Sequence, residues 1–375
     1  MKMEKKREPA RAEKKRTARA GIAEYIYYAG ETSKAEISKN LNLSMPTVLT
    51  NVSELMDMGL VTEVGEYEST GGRKAKSLGI QKTYGYSMGV DITANHISMV
   101  LVNMCGEIEK HVRSRMVFTP DMAYCGQLSR EVERFLEEHG ERSKVLGIGI
   151  SLPGIVDHEN RLLTQSHVLN LENYSLNMLE QMMPLPVYFE NDANAAMMAE
   201  NLGKESSAVY LSLKNTLGGA VCLNGSIFTG DHKRAGEFGH MTLVPEGAPC
   251  YCGKAGCADA YCAASVLTNN GEESLDSFMQ RLDRKELGAL EVWDKYLEGL
   301  AILVSNLRMV YDMDIILGGD VGGYLRGRML PLYEKIPEYN RFDRDFSYLR
   351  NCRYQKEASA VGAAKYFLKA SIQEL

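Results

Sequence analysis

Three thiols and an imidazole crowd into one short stretch of the chain: Cys250, Cys252 and Cys257 fall within Cys-Tyr-Cys-Gly-Lys-Ala-Gly-Cys, and His240 stands ten residues before the first of them. Together they form a complete tetrahedral ligand set for Zn²⁺, with Zn–S bonds near ~2.3 Å and Zn–N bonds near ~2.0 Å. The glycines let the loop wrap an ion. Four protein ligands leave no open position for water, so the site is structural rather than hydrolytic. Reduced core cysteines, the plainer alternative, do not explain three thiols within eight residues of a glycine-rich loop. Cys262 falls on the following helix and reads as a buried thiol, not a fifth ligand. Cys105, Cys125, Cys222 and Cys352 are scattered, and this distribution favours metal over a disulfide framework.

A second group of polar side chains has spacing suited to nucleic acid. Ser44 is placed to cap a helix that begins Met45-Pro46-Thr47, because proline is tolerated in a first turn where backbone N–H groups lack helical partners. Val48, Val52, Leu55 and Met56 then face inward, which puts Thr47, Thr50, Asn51 and Glu54 outside. Hydroxyl and amide groups near the start of such a helix can reach base edges and phosphates, so Ser44, Thr47, Thr50 and Asn51 are candidate DNA contacts. Two earlier helices carry it. Thr17–Tyr28 places Ile22, Tyr25 and Ile26 on one face, and Ser33 caps Ser-Lys-Ala-Glu-Ile-Ser-Lys-Asn-Leu with Ile37 and Leu41 four apart. After Gly59 a strand, a loop and a second strand make a wing. Gly71 and Gly72 turn its tip, and Arg73 and Lys74 put two cations where a minor groove or phosphate can meet them. A small helical protein-interaction module is the alternative; helix, turn, helix, wing and basic tip in that order favour a winged helix-turn-helix over residues 17–82.

Charge agrees with this division. The net charge is -6, yet residues 1–82 carry 15 Lys and Arg against 11 Asp and Glu, which leaves 28 against 38 for the remainder. Only the front of the molecule attracts polyanions. For the basic tail, residues 1–16, a solvated extension and a DNA-binding arm both stay open. No apolar run approaches the roughly 20 residues that span a bilayer, and the basic start lacks the apolar core of a secretory signal. A soluble, cytoplasmic protein without a membrane partner is expected.

Beyond Tyr84 strands alternate with helices. Gly85–Ile92, His96–Asn103 and Lys110–Phe118 read as three strands, Met122–His139 as a helix, and Lys144–Leu152 as a further strand. Pro186–Asp192 and Ser207–Leu213 continue the pattern, and Leu290–Tyr311 is a long helix that leads into the buried strand Asp314–Gly319. Hairpins followed by βα units suggest an α/β fold of two lobes over residues 84–375. No short-period repeat is visible.

Four segments of this region, Gly-Ile-Gly-Ile-Ser-Leu-Pro-Gly-Ile-Val-Asp, Phe-Glu-Asn-Asp-Ala-Asn-Ala-Ala, Ala-Gly-Glu-Phe-Gly-His-Met and the cysteine run, resemble in order and spacing the ROK family of sugar kinases and sugar-responsive repressors. The winged helix is similar to that of the repressor branch. The resemblance implies a two-lobed actin-like ATPase (ribonuclease H-like) fold with a sugar in a cleft near residues 190–260. It implies sugar contacts from Asn191, Asp192, Glu237 and His240, with Asp192 at the catalytic-base position. Asp259 stands where the family usually has glutamate. The chemistry suits a sugar, whose hydroxyls both donate and accept, so that a missing hydroxyl leaves a buried group unpaired at about 1–3 kcal/mol. His240 can bind metal through one ring nitrogen and face the sugar with the other.

Kinases of the family resemble one another in glycine-rich phosphate turns. Here Asp91-Ile92-Thr93-Ala94-Asn95 stands in place of Asp-x-Gly-Gly-Thr, and Asn215-Thr216-Leu217-Gly218-Gly219 in place of a turn with more glycine. Phosphoryl transfer depends on positioning and neutralising phosphate charge, so loss of the cradle predicts no nucleotide and no kinase activity. The expected molecule is a repressor that binds operator DNA and a sugar or sugar phosphate effector, as a homodimer or higher homo-oligomer with paired half-sites. An active sugar kinase with a DNA-binding head, and a constitutive DNA-binding scaffold with a vestigial cleft, are the alternatives.

Overall fold

The computed structural model describes residues 7–67 and 75–375. The wing-tip residues Gly71, Gly72, Arg73 and Lys74 and the first six residues of the basic tail lie outside the described residues.

A head of helices α1 (Arg7–Ala29), α2 (Lys34–Asn40) and α3 (Met45–Asp57) carries strands β1 (Glu31–Thr32), β2 (Val61–Tyr67) and β3 (Ala75–Ile80). β3 pairs antiparallel with both others. α1 starts ten residues before Thr17, so most of the expected tail is helical. Its Arg, Lys, Glu and Ala residues favour a helix even though they supply no apolar face, and Pro9 lies within the first turn, where it is tolerated. Both expected caps form: Ser33 and Glu36 make a reciprocal capping box, and Ser44 accepts from the Thr47 amide at 3.4 Å. Ile22, Ile26, Ile37, Val48, Val52 and Leu55 close the head's core.

The first lobe follows: β4 (Tyr86–Ile92), β5 (His96–Asn103), β6 (Ile108–Arg115), α4 (Met122–Glu137), β7 (Val145–Leu152), a small sheet of β8 (Ile155–Asp157), β9 (Leu162–Ser166) and β10 (Leu171–Ser175), then α5 (Asn177–Gln181), β11 (Val187–Asn191) and α6 (Asp192–Ala199). Its main sheet has the order β11-β7-β4-β5-β6. The second lobe comprises β12 (Ala208–Leu213), β13 (Leu217–Leu223), β14 (Ser226–Ile227), α7 (Asp259–Cys262), α8 (Ala264–Leu267), α9 (Leu275–Asp283), α10 (Leu287–Tyr311), β15 (Asp314–Gly318), α11 (Gly319–Leu325), α12 (Leu330–Tyr339) and β16 (Leu349–Asn351), with sheet order β14-β13-β12-β15-β16. In each lobe three antiparallel strands are extended by two parallel ones. The lobes are therefore one topology used twice, a duplication that no short-period repeat betrays.

The last helix, α13 (Ala358–Gln373), leaves the second lobe and lies across β4 and β7 of the first, against α6. Glycine permits the approach. A Cβ on Gly149 would sit 2.0 Å from the Ala363 carbonyl oxygen, and one on Gly362 would sit 1.5 Å from that of Ala195. The head rests on the same helix. Ile22, Leu78 and Ile80 share a buried cluster with Val100, Leu368 and Ile372, Arg19 donates to the Leu375 carbonyl at 3.2 Å, and Glu24 pairs with Lys204. Among the described residues no helix is long and apolar enough to cross a membrane.

Candidate functional site

The β11–α6 junction sets the floor of a cleft between the lobes. Asn191 ends the strand and caps the helix, its Oδ1 accepting from the Ala193 and Asn194 amides at 2.9 and 3.0 Å. Its Nδ2 donates to the Gly154 carbonyl at 2.9 Å. Asn191 lines the cleft, but most of its hydrogen-bonding capacity is spent on holding the junction. Asn191 does the capping, and the Asp192 carboxylate of the first turn lines the cleft, accepting from Asn191 Nδ2 at 3.4 Å. Glu190, buried behind them, accepts from the Asn191 amide at 2.9 Å and from Asn194 Nδ2 at 3.1 Å.

The opposite wall comes from the segment after β14. Gly236 and Gly239 let it press on the β12–β13 turn: a Cβ on Gly236 would lie 2.5 Å from the Gly219 carbonyl oxygen, and one on Gly219 would lie 2.2 Å from the Phe238 ring. Gly219, on β13 just past that turn, thus serves packing. Glu237 and His240 face Asp192 across a cavity of about 310 Å³ that is also walled by His167, Asn191 and Tyr251. That volume falls in the range of about 300–1,000 Å³ common to small-molecule sites. Burial and the neighbouring Asp192 push the Glu237 carboxyl up, with His167 and Arg234 opposing.

His240 joins cleft to metal centre. Its Nδ1 lies 3.9 Å from Cys250 Sγ, while its Nε2 faces the cleft, 3.4 Å from the Tyr251 hydroxyl and 3.9 Å from Glu237 Oε2. Burial, His167 and Lys254 all lower its pKa, which favours the neutral imidazole that a metal requires. The ligand atoms of His240, Cys250, Cys252 and Cys257 lie within 4.8 Å of one another, and Cys252 and Cys257 sulfurs are 3.7 Å apart. A tetrahedron of ~2.3 Å Zn–S bonds has edges of about 3.8 Å, so the cluster has the right size for such an ion. Burial holds the Cys250 thiol up at about 12, and a cation in the cluster would reverse that. Cys250, Cys252 and Cys257 are free thiols. The cluster can hold a metal ion.

Two expected contacts are corrected. Asp259 does not line the cleft. Its carboxylate is 6% exposed and accepts from the Leu217 amide at 2.6 Å, because an aspartate side chain at the start of α7 reaches only as far as the β12–β13 turn. Asn51 does not face outward either. Three residues from Val48 and four from Leu55, it shares their helical face, is 3% exposed, and donates back to the Thr47 carbonyl at 2.8 Å. Ser44, Thr47 and Thr50 stay at the outer surface, where Met45 and Leu49 accompany them with 41% and 47% exposure.

Several cleft residues escaped the sequence reading. Tyr251 could have been found from its place between two ligand cysteines; His167, on the turn after β9, carries no motif. Lys214 was missed as well. Its ammonium lies 3.6 Å from Asp192 Oδ2, 3.6 Å from Asp91 Oδ2 and 2.8 Å from Ser359 Oγ. A larger cavity, about 380 Å³, lies between Tyr27 and Tyr28 of α1 and Tyr188 and Tyr366, remote from the metal cluster. It gathers no comparable set of carboxylates and imidazoles.

Two duplicated lobes around a cleft, with α13 returning to the first, define an actin-like ATPase fold. The same fold is found in the crystal structure of a ROK family transcriptional regulator, a homologue of the Escherichia coli MLC protein, at a TM-score of 0.72 and 21% identity over 96% of this chain and 97% of that one. The ROK hexokinase from Thermus thermophilus matches at a TM-score of 0.60 and 26% identity, covering 74% of this chain and 96% of the hexokinase. The ROK family profile matches residues 87–370, and the chain belongs to the ROK family. A xylose repressor from Caldicellulosiruptor bescii is 31% identical over 242 residues, 63% of this chain; the match spans 61% of the repressor's own length.

Proposed function

We propose that this protein is a DNA-binding transcriptional repressor whose operator affinity is set by a sugar held between Asp192 and the Glu237–His240 wall. D-Xylose is the first candidate, given the similarity to a xylose repressor; a sugar phosphate is the second, favoured by Arg234 at the cleft wall. Asp192 and Glu237 accept from sugar hydroxyls, His240 Nε2 completes the set, and Asn191 and Asp259 hold the two walls in place. The metal, read as structural Zn²⁺, fixes the tautomer and aim of His240 from behind. No step of this function needs a nucleotide.

One helix carries the reading. At its start, Ser359 Oγ donates to the Asp192 main-chain carbonyl at 2.9 Å; beyond its end, the carbonyls of Glu374 and Leu375 accept from Arg16 and Arg19 of α1. A 16-residue helix is about 24 Å long, so α13 connects the sugar floor directly to the DNA-binding head. A sugar that prefers one lobe arrangement shifts the head's position through this rod, by no more than its differential affinity for the two arrangements. Two copies would present two α3 helices to paired half-sites, with Ser44, Thr47 and Thr50 near bases and phosphates, and with Met45 and Leu49 available to thymine methyl groups. Arg73 and Lys74 are the wing's phosphate contacts.

The test has two readouts on the full-length protein. D-Xylose, D-glucose, N-acetyl-D-glucosamine and their phosphates are screened by thermal shift; a ligand at 100 times its Kd adds about 2.7 kcal/mol of stability. The stabilising sugar is then added to the protein on DNA upstream of its own gene and should change fluorescence anisotropy. Sugar-dependent ATP turnover at an ordinary enzymatic rate would replace this reading with that of a kinase.

A further inference from the structure

The lobe junction contains a charge arrangement that sugar recognition does not by itself require. Asp91 is the penultimate residue of β4 in the first lobe and Asp192 begins α6, and their carboxylates converge on one ammonium supplied from the second lobe by Lys214, the residue just after β12. Asp91 Oδ1 is engaged by Ser151 Oγ at 2.7 Å, which leaves Oδ2 for Lys214. Ser359 is a relay: it accepts from Lys214 Nζ and donates to the Asp192 carbonyl. The lysine side chain is 17% exposed and the Asp91 side chain 7%, so the group is largely dry.

Two carboxylates so placed repel each other and require a counter-charge. In phosphoryl-transfer sites that role falls to a divalent ion, which also bridges the phosphates. Here the position lies between the two turns whose glycines are depleted, Asp91–Asn95 and Asn215–Gly219, and a covalently attached cation already fills it. Burial works against the charge on Lys214, but Asp91, Asp192 and Asp320 outweigh it and hold the ammonium well above its ordinary pKa. For Asp192 burial pushes the carboxyl up and Lys214 pulls it back. The ionised pair is the state that fits one ammonium facing two carboxylate oxygens, each at 3.6 Å.

We propose that Lys214 is a resident counter-cation: it takes the place of a divalent ion between Asp91 and Asp192, excludes such ions and the nucleotide they would carry from the junction, and positions Asp192 for the sugar. The last element rests on the reading of the cleft as a sugar site; the exclusion does not. Lys214 is a positioning residue that also latches the second lobe to the first.

The experiment is a Mn²⁺ titration of zinc-loaded, full-length protein, followed by electron paramagnetic resonance. The wild type should show no saturable site that depends on Asp91. Lys214→Ala should gain one Mn²⁺ site at least about tenfold tighter than any in the wild type, because two free carboxylates can hold such an ion. Adding Asp91→Asn should abolish the gain, and Lys214→Arg should behave as wild type. A merely structural lysine would produce no such gain. If Lys214→Ala does not fold, Lys214→Gln, which keeps a donor for Ser359, is titrated instead. Folded variants that gain no site overturn the proposal. So does calorimetry in which wild-type protein binds Mg²⁺–ATP and loses that binding with Asp91→Asn. A wild type stabilised by none of the sugars sinks the sugar reading and leaves the Mn²⁺ result to judge Lys214.

Discussion

The two lobes share a strand order and have diverged in what fills the connections. In the first lobe, β6 passes to β7 through the single helix α4; in the second, the connection from β14 to β15 contains the Glu237–His240 wall, the ligand cysteines and helices α7 to α10. The first lobe contributes Asp192 from a strand-to-helix junction held by Asn191 and Glu190, which is rigid because backbone hydrogen bonds surround it. The second lobe's wall is a long irregular insertion held by turn-type bonds, such as His240 N–H to the Glu237 carbonyl at 3.1 Å and Cys250 N–H to the Lys254 carbonyl at 2.8 Å, and a metal ion can add a further tie between its two ends. The same scaffold thus acquires a binding face in two ways, by position at a strand end and by a clamped insertion.

The sharpest break in that comparison is Cys257→Ser. With one of four ligands lost, the second wall should loosen while the first stays intact: metal content by mass spectrometry falls to near zero, and sugar-dependent stabilisation disappears. Structural zinc sites are worth about 10–16 kcal/mol in isolated fingers, so even a fraction of that should lower the Tm visibly.

Lys365 tests the rod that joins the first lobe to the head. Burial, with Arg353 adding to it, brings its amine down to about 7, Glu200 opposing, and its Nζ donates to the Ala199 carbonyl at 2.7 Å. Between the folded value near 7 and the ordinary lysine value of 10.5 the unfolded chain binds the proton that the folded chain lacks. Stability should therefore rise with pH across that window, at up to about 1.4 kcal/mol per unit. Below the folded pKa both states carry the proton and the dependence ends. Denaturant titrations of Lys365→Met should show this rise flattened; an unchanged profile would refute the assignment.

Asp192→Asn and Asp259→Asn separate the two walls at the level of single contacts. Loss of a charged acceptor for a sugar hydroxyl should weaken binding by about 1.5–3 kcal/mol, roughly ten- to a hundredfold by calorimetry, while sugar-free DNA binding persists. Asp259→Asn should lower stability and leave most sugar affinity in place. If Asp259→Asn harms affinity as much as Asp192→Asn does, the side chain reaches the sugar after all. The smallest effect is expected from Arg73→Ala, which should weaken operator binding evenly across DNA sequences and reduce its salt slope by about one.

Much of this was legible one residue at a time. The metal set is local, since four ligands within a short segment need only a flexible loop, and their sulfur spacing in the fold agrees with the motif. The capped helices Lys34–Asn40 and Met45–Asp57 are likewise declared by Ser33 and Ser44. Asn51 shows where local reading failed. At 100° per residue it lies on the edge of the apolar face, and only the packing of α3 within the head decided that the edge was covered. Asp259 failed differently, because its reach is a matter of a few ångströms between segments far apart in the chain.

By itself, the order of residues determined the capped helices α2 and α3, the strands β4, β5, β7, β11 and β12, the cluster able to hold a metal and the family, because these depend on neighbours within a few turns or on motifs of fixed spacing. Tertiary structure alone decided that α13 crosses back to the first lobe, that Gly219 serves packing, and that Lys214 meets Asp91 and Asp192. Each of these joins groups from separate segments of the chain. Their energies depend on distance and burial, which one-dimensional spacing does not encode.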